Sequence, residues 1–332
     1  MKRAPVTAQD VADYAGVSRT AVSRAFTPGA SVSAETRAKV QRAAEALGYQ
    51  VNHLARGLIR SESGLVALIA AEIETPYRSA LLSQLAQGLL AAGKTPILIA
   101  TDRSDDSVRQ ALQHAISYRT EAAVILSGMP DSALCDICLR NGMRLVLVNR
   151  DEARKGTLQI RLDDHEAGVT AFNTLRRAGC AALALVSSAA GTPSLAGRIA
   201  GFRHAAEAAG VTIQERSTGA TSYQTGLEIG TDLLSSTTPP DGIFCVTDLL
   251  ACGVLDAARC RFGLGVPADL SVIGFDDIAQ AGWESYALNT FAQPTGEIAA
   301  TAIDWLSDPD GETRVVQLPV RMVWRKSVRV PA

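Results

Sequence analysis

No stretch of this 332-residue sequence reaches the ~20 apolar residues that cross a membrane. The opening Met1-Lys2-Arg3-Ala4-Pro5-Val6-Thr7 has two basic residues but lacks the apolar run of a secretory signal, so the expected location is the cytoplasm. The chemistry-bearing patterns are equally sparse. The four histidines (His53, His114, His165, His204) are scattered, with no zinc-type pair, and neither G-x-G-x-x-G nor G-x-S-x-G occurs. Nothing assembles into a catalytic site, and the expectation is no enzyme, no metal and no cofactor. Six cysteines in a chain this long, without a signal, read as reduced and mostly buried rather than as a disulfide framework. Cys135-Asp136-Ile137-Cys138 fits C-x-x-C, but no second Cys/His pair sits at zinc spacing and the segment reads as a helix face.

What is present is apolar bulk and an uneven charge. With 47% hydrophobic and 20% charged residues the chain can fill two or three cores. Residues 1–60 hold nine Lys/Arg against four Asp/Glu, and the remainder 23 against 30. A small basic head on an acidic body points to a head that meets a polyanion, the alternative being a solvated positive face.

The head divides into three short helices. Thr7-Ala8-Gln9-Asp10 has the form of a capping box, with Val11, Ala12 and Ala15 following at helical spacing before Gly16 ends the helix. Ser18 caps a second helix to about Phe26, with Ala21, Val22 and Ala25 inward. Ser33 caps a third, in which Val40, Ala43, Ala44 and Leu47 form one stripe up to Gly48. In a helix-turn-helix the second helix enters the major groove. Arg19, Thr20 and Arg24 are placed to read base edges, and Thr7, Ser18, Ser23 and Ser33 to contact phosphates. A neutral three-helix scaffold would share the helices.

The runs from Val6 to Ser18, Ala21-Val22-Ser23-Arg24, Val32 to Val40 and Gly48-Tyr49-Gln50-Val51-Asn52-His53-Leu54-Ala55-Arg56-Gly57-Leu58 closely resemble the headpiece and hinge of the lactose-repressor and purine-repressor family. The resemblance implies a headpiece at 1–49, a hinge at 50–62 and an effector-binding and dimerisation core at 63–332. It also implies minor-groove entry by paired hinge helices, with Asn52, Ala55 and Leu58 as contacts and Leu58 as the wedge. Asn52 to Ile59 makes only two turns, too few for an isolated helix, and Gly57 weakens it further; a plain linker is the alternative.

Beyond the hinge, apolar runs (65–71, 96–100, 122–126, 145–148, then 182–186, 242–246, 272–275) alternate with helical stretches, the βαβ signature of doubly wound α/β sheets. Two similar lobes resemble the family's periplasmic-binding-protein-like core: lobe 1 at about 63–160 and 291–320, lobe 2 at about 161–290. A ligand belongs at the carboxyl ends of the strands. By the resemblance, Tyr77, Arg78, Arg150, Asp164, Arg198, Asp248 and Asp276 stand where relatives contact effector, with Arg198 and Asp276 foremost. Residues of both signs fit a sugar or sugar acid. Arg78 and Arg150 fill places where relatives often carry aromatic rings, which favours an anionic effector; a lobe-to-lobe salt bridge is the alternative. Asp248 also reads as an ordinary helix N-cap.

One run argues for an enzyme. Gly88-Leu89-Leu90-Ala91-Ala92-Gly93-Lys94-Thr95 fits the phosphate-loop pattern, yet a helix precedes it and a strand follows, the reverse of what phosphate binding needs. The rival readings are therefore a nucleotide-binding enzyme, resting on this run, and a transport-type binding protein, which calls for a signal peptide. The leading expectation is an effector-controlled repressor binding a palindromic operator as a homodimer. The end at Pro331-Ala332, without the leucine-heptad tail of one family member, favours dimers over tetramers.

Overall fold

The structure is a computed structural model that describes residues 6–27, 29–50, 63–102, 104–126, 132–150, 155–308 and 310–330. It divides into two units, Met1–Ser63 and Gly64–Ala332. The hinge expectations for Asn52, Ala55 and Leu58 lie outside the described residues.

In the first unit, α1 (Ala8–Ala15), α2 (Arg19–Ala25) and α3 (Ala34–Leu47) each begin at a hydroxyl cap. Thr7 and Asp10 close the predicted capping box in both directions, while Ser18 accepts from Ala21 N and Ser33 from Thr36 N. Gly16 and Gly48 stop α1 and α3 at φ 64° and 66°, a left-handed geometry that glycine adopts without strain. Val11, Ala12, Val22, Ala25, Val40, Ala43 and Ala44 form the core, with Ala21 and Leu47 only half-buried. Arg37 donates to Ala25 O at 2.6 Å, tying α3 to the end of α2.

The second unit holds two parallel sheets. The larger has the order β11-β5-β4-β3-β1-β2, from β1 (Leu65–Ala71), β2 (Thr95–Thr101), β3 (Ala122–Ile125), β4 (Arg144–Val148), β5 (Thr157–Leu162) and β11 (Arg314–Leu318). One face is covered by α4 (Pro76–Ala91) and α11 (Thr295–Ser307), the other by α5 (Asp105–Ser117) and α6 (Ser132–Arg140). Cys135 and Cys138 are buried in that second face as small hydrophobes, and burial raises the Cys138 thiol to about 11.

The smaller sheet has the order β7-β6-β8-β9, from β6 (Leu183–Ser187), β7 (Ile213–Ser217), β8 (Gly242–Cys245) and β9 (Ser271–Ile273). Around its core lie α7 (Asp164–Arg177), α8 (Pro193–Ala208), α9 (Tyr223–Leu234) and α10 (Asp248–Asp256). The chain passes between lobes at the 162–164 junction and again on β10 (Thr290–Ala292) and β12 (Arg321–Val323), which pair antiparallel. After β12 the C-terminal segment returns to lobe 2, where Ser327 O accepts from Val272 N and Val328 joins the core. Helices α7 and α8 approach until only glycine fits between them: a Cβ at Gly168 would lie 2.2 Å from Arg198 O, and one at Gly201 1.9 Å from His165 O.

Candidate functional site

On α2, Arg19, Thr20, Ser23 and Arg24 are all exposed, and Val22 and Ala25 occupy the opposite, buried side. The face expected to meet DNA is thus solvent-exposed and carries two guanidinium groups suited to bidentate contact with guanine. The Thr7 and Ser33 hydroxyls donate to Asp10 Oδ2 and Thr36 Oγ1 at 2.7 and 2.8 Å, so to donate to a phosphate they would first give up those side-chain bonds, while the cap bonds that they accept could stay. Ser18 Oγ accepts from Ala21 N and keeps its proton to donate.

In the core, the strand ends converge on a cleft. Glu72, Tyr77 and Arg78 reach it after β1, Leu126 after β3, and Asn149 and Arg150 after β4. Lobe 2 supplies Arg198 on α8, Thr247 after β8 and Asp276 after β9, and Gln293 follows the crossing strand β10. Both sheets reverse strand order at their first strand, so the cleft sits at paired switch points.

Arg198 is the most constrained charge. It is 2% exposed, donates from Nε to Asp164 Oδ1 at 2.8 Å and from Nη1 to Val246 O at 2.7 Å, and its Cζ lies 3.4 Å from the centre of the Phe275 ring. Asp276 Oδ1 stands 3.8 Å from Arg198 Nη1 and accepts from Gln293 Nε2 at 2.6 Å. Burial raises the Asp276 carboxyl above its ordinary range, and the Arg198 charge opposes that shift. Asp276 also has φ 126°, a backbone strain that its surroundings must hold. Arg78 Nη1 donates to Leu126 O at 2.8 Å, and the Arg150 carbonyl accepts from the Gln159 amide and from Arg161 Nε.

Of the seven residues expected at the effector site, Tyr77, Arg78, Arg150, Arg198 and Asp276 line the cleft. Asp164 and Asp248 do not, and both are corrections. Asp164 stands behind Arg198 and orients it. Asp248 is fully buried, accepting from Thr290 Oγ1 at 2.5 Å and Ile278 N at 2.9 Å, and burial raises its carboxyl. It is not the N-cap either: that position is Thr247, whose side chain makes no cap bond. Thr247, Asn149, Gln293 and Glu72 are cleft residues that sequence reasoning missed. Four buried polar atoms without a partner, Tyr77 Oη, Asn149 Oδ1, Thr247 Oγ1 and Gln293 Oε1, belong to residues of this cleft. A buried polar atom left unpaired costs about 1–3 kcal/mol, so four in one cleft mark a place built for a polar ligand.

Lys94 of the phosphate-loop-like run pairs with Glu121, α4 precedes it and β2 follows, so the loop follows a helix C-terminus instead of opening a helix. No described helix is long and apolar enough to cross a membrane.

Residues 7–52 match the family described as Bacterial regulatory proteins, lacI family, and residues 172–328 match the Periplasmic binding protein-like domain. The HTH-type transcriptional regulator DegA of Bacillus subtilis (strain 168) is 30% identical over 300 residues, covering 89% of this chain and 88% of DegA. The chain belongs to the lacI family. Catabolite control protein A of Priestia megaterium is 28% identical, with 98% of this chain and 99% of that protein covered. The crystal structure of the Lac repressor dimer bound to operator and the anti-inducer ONPF superposes with a TM-score of 0.87 over 98% of this chain and 100% of that one, at 23% identity, which establishes the fold. This lacI-family chain is a DNA-binding transcriptional regulator with a periplasmic-binding-protein-like ligand domain. Its relatives are regulators and not enzymes, which removes the nucleotide-binding enzyme from consideration.

Proposed function

We propose that this regulator represses transcription from a palindromic operator as a cytoplasmic homodimer, and that a sugar or sugar acid bound in the interlobe cleft controls its operator affinity. The observation that carries the effector half is the set of four unpartnered buried polar atoms beside Arg198 and Asp276 in one cleft. Hydroxyl-rich ligands satisfy such atoms, with Asp276 accepting two hydroxyls and the guanidinium groups donating. The DNA half rests on the exposed Arg19, Thr20, Ser23 and Arg24 face and on the basic head. Ser18, Thr7 and Ser33 serve as phosphate contacts in this reading, and Asn52, Ala55 and Leu58 as hinge contacts in the minor groove. Closure of the lobes on ligand shifts the spacing of the hinges and so the operator affinity, by a coupling of about 1–3 kcal/mol.

A thermal-shift screen of sugars and sugar acids on the full chain, followed by operator titration with each hit, tests the proposal. A stabilising sugar whose effect disappears in Asp276→Asn, and which changes operator affinity, supports it. Footprinting that showed one asymmetric half-site would overturn the dimeric part.

A further inference from the structure

The regulator reading leaves the phosphate-loop-like run without a role. In the fold, Gly93, at φ 72°, follows the end of α4, and Lys94 N donates back to Leu89 O at 2.8 Å to close that helix. The lysine side chain then reaches Glu121 Oε2 at 2.5 Å. Lys94 stands immediately before β2 and Glu121 immediately before β3, and β1 lies between those two strands in the sheet. The ion pair therefore spans the amino end of β1. At that end stands Gly64, the first residue of the core unit, where the chain arrives from residues 50–62. Glu121 Oε1 accepts from Gly64 N at 2.6 Å, the Gly64 carbonyl accepts from Thr95 N at 2.7 Å, and Leu65 O accepts from Glu121 N at 2.9 Å.

Strand pairing begins one residue later, with Leu65 opposite Thr95, so the Glu121 carboxylate fixes a backbone N–H that lies beyond the ladder. We propose, resting on the reading that residues 50–62 form a DNA-contacting hinge, that Glu121 is a positioning residue for operator binding: its carboxylate holds the point and direction at which the hinge joins β1. Two helical turns are too few to order themselves, so any play at this mount adds to the freedom that operator binding must remove. Freeing one residue's backbone corresponds to about 5- to 30-fold in an equilibrium. Lys94 steadies the carboxylate without being required, because it and Gly64 N meet different oxygens.

The test uses the full chain and two probes: the duplex that the wild type selects from a random-sequence DNA library, and a random-sequence duplex of equal length. Glu121→Ala should weaken the selected duplex about 5- to 30-fold and the random duplex much less, with faster hydrogen exchange at the Gly64 amide. Glu121→Ser, polar but too short to reach Gly64 N, should behave alike and guards against a folding defect of the alanine variant. Glu121→Gln keeps an oxygen for Gly64 N, and Lys94→Ala leaves that bond in place, so both should retain the wild-type affinity ratio. A merely structural role would lower the melting temperature of the alanine and serine variants and leave the ratio unchanged, which would overturn the proposal. Losses in Glu121→Gln and Lys94→Ala as large as in Glu121→Ala would also overturn it, because the charge and not the acceptor would then matter. Leu58→Ala separates the two levels. If it binds the selected duplex as well as wild type, the hinge reading fails and takes the inference with it; if it binds weakly while Glu121→Ala binds normally, the hinge reading stands and the mount falls.

Discussion

Replacing Gly168 with alanine tests whether the packing of α7 on α8 holds the effector site in place. The added Cβ would lie 2.2 Å from Arg198 O and 2.7 Å from Phe202 N, about 1 Å short of contact distance. Both obstacles are backbone atoms, so no rotamer change relieves them and α8 must shift. Overpacking of this kind costs about 1–3 kcal/mol, while replacing a helical glycine by alanine returns about 1 kcal/mol. The net expectation is a loss of up to about 2 kcal/mol, or up to roughly 4–8 °C in the melting temperature of the core. The shift also displaces Arg198, whose bonds to Asp164 and Val246 are 2.8 and 2.7 Å long. Effector affinity should therefore fall by about tenfold, one contact's worth. Gly88→Ala is the control. Its Cβ meets only the Ile303 side chain, Cδ1 at 2.2 Å and Cγ1 at an ordinary 3.6 Å, and that terminal methyl can turn away, so the variant should be near neutral. Urea unfolding and calorimetry on both variants decide the matter. Equal stability losses, or a Gly168→Ala protein with unchanged effector affinity, would refute the reasoning.

Arg19→Ala or Arg24→Ala should cost about 1–3 kcal/mol on operator and much less on random DNA if the side chain reads a guanine; equal losses on both would make it a phosphate contact. Lys94→Ala removes a partly exposed ion pair with Glu121 and should cost at most about 1 kcal/mol, with operator binding and effector response retained. ATP binding by the wild type that is lost in this variant would refute that reading. The raised Asp248 carboxyl gives the third expectation. A folded-state pKa raised above the unfolded value contributes stability that is full below about pH 4 and is lost as pH rises through the folded value. The Asp248 contribution should thus be lost on going from pH 4 toward neutrality, and a pH series of thermal melts on Asp248→Asn and wild type should differ by that slope; an identical slope in the variant would refute the assignment.

The helices and inner strands of both lobes were legible because their signals are local. The capping box at Thr7, the serines at 18 and 33 and the glycines at 16 and 48 set helix ends through backbone chemistry that needs no tertiary partner. Strands β1, β3, β4, β6 and β8 are buried on both faces, so they read as continuous apolar runs. Two of the edge strands, β7 and β11, gave no such signal. β7, Ile213-Gln214-Glu215-Arg216-Ser217, has one apolar residue because its outer side meets solvent, and β11, Arg314-Val315-Val316-Gln317-Leu318, is likewise mostly exposed. Helix α9 hid for another reason: Gly226 and Gly230, which lower helix propensity, are there because α10 packs too closely for a side chain.

In the cleft, residue type was a poorer guide than position. Asp248 and Asp164 were expected at the site because the family resemblance places effector contacts there, yet a carboxylate at such a position is also the natural acceptor for nearby donors. The fold uses them that way, Asp248 for Ile278 N and Thr290 and Asp164 for Arg198. Thr247, one residue from Asp248, reaches the cleft that Asp248 does not: its side chain starts from an extended backbone at the strand end and borders the cleft, while Asp248 begins α10 and turns into the core. Asn149, at φ 56°, and Gln293 became visible as site residues only through what packing leaves undone. A polar atom that is buried but unpaired has no signature in a sequence, because both its burial and its missing partner are set by segments far along the chain. That is also why Arg198 could be expected from the family resemblance, whereas the acceptors beside it had to await the strand ends that assemble around it.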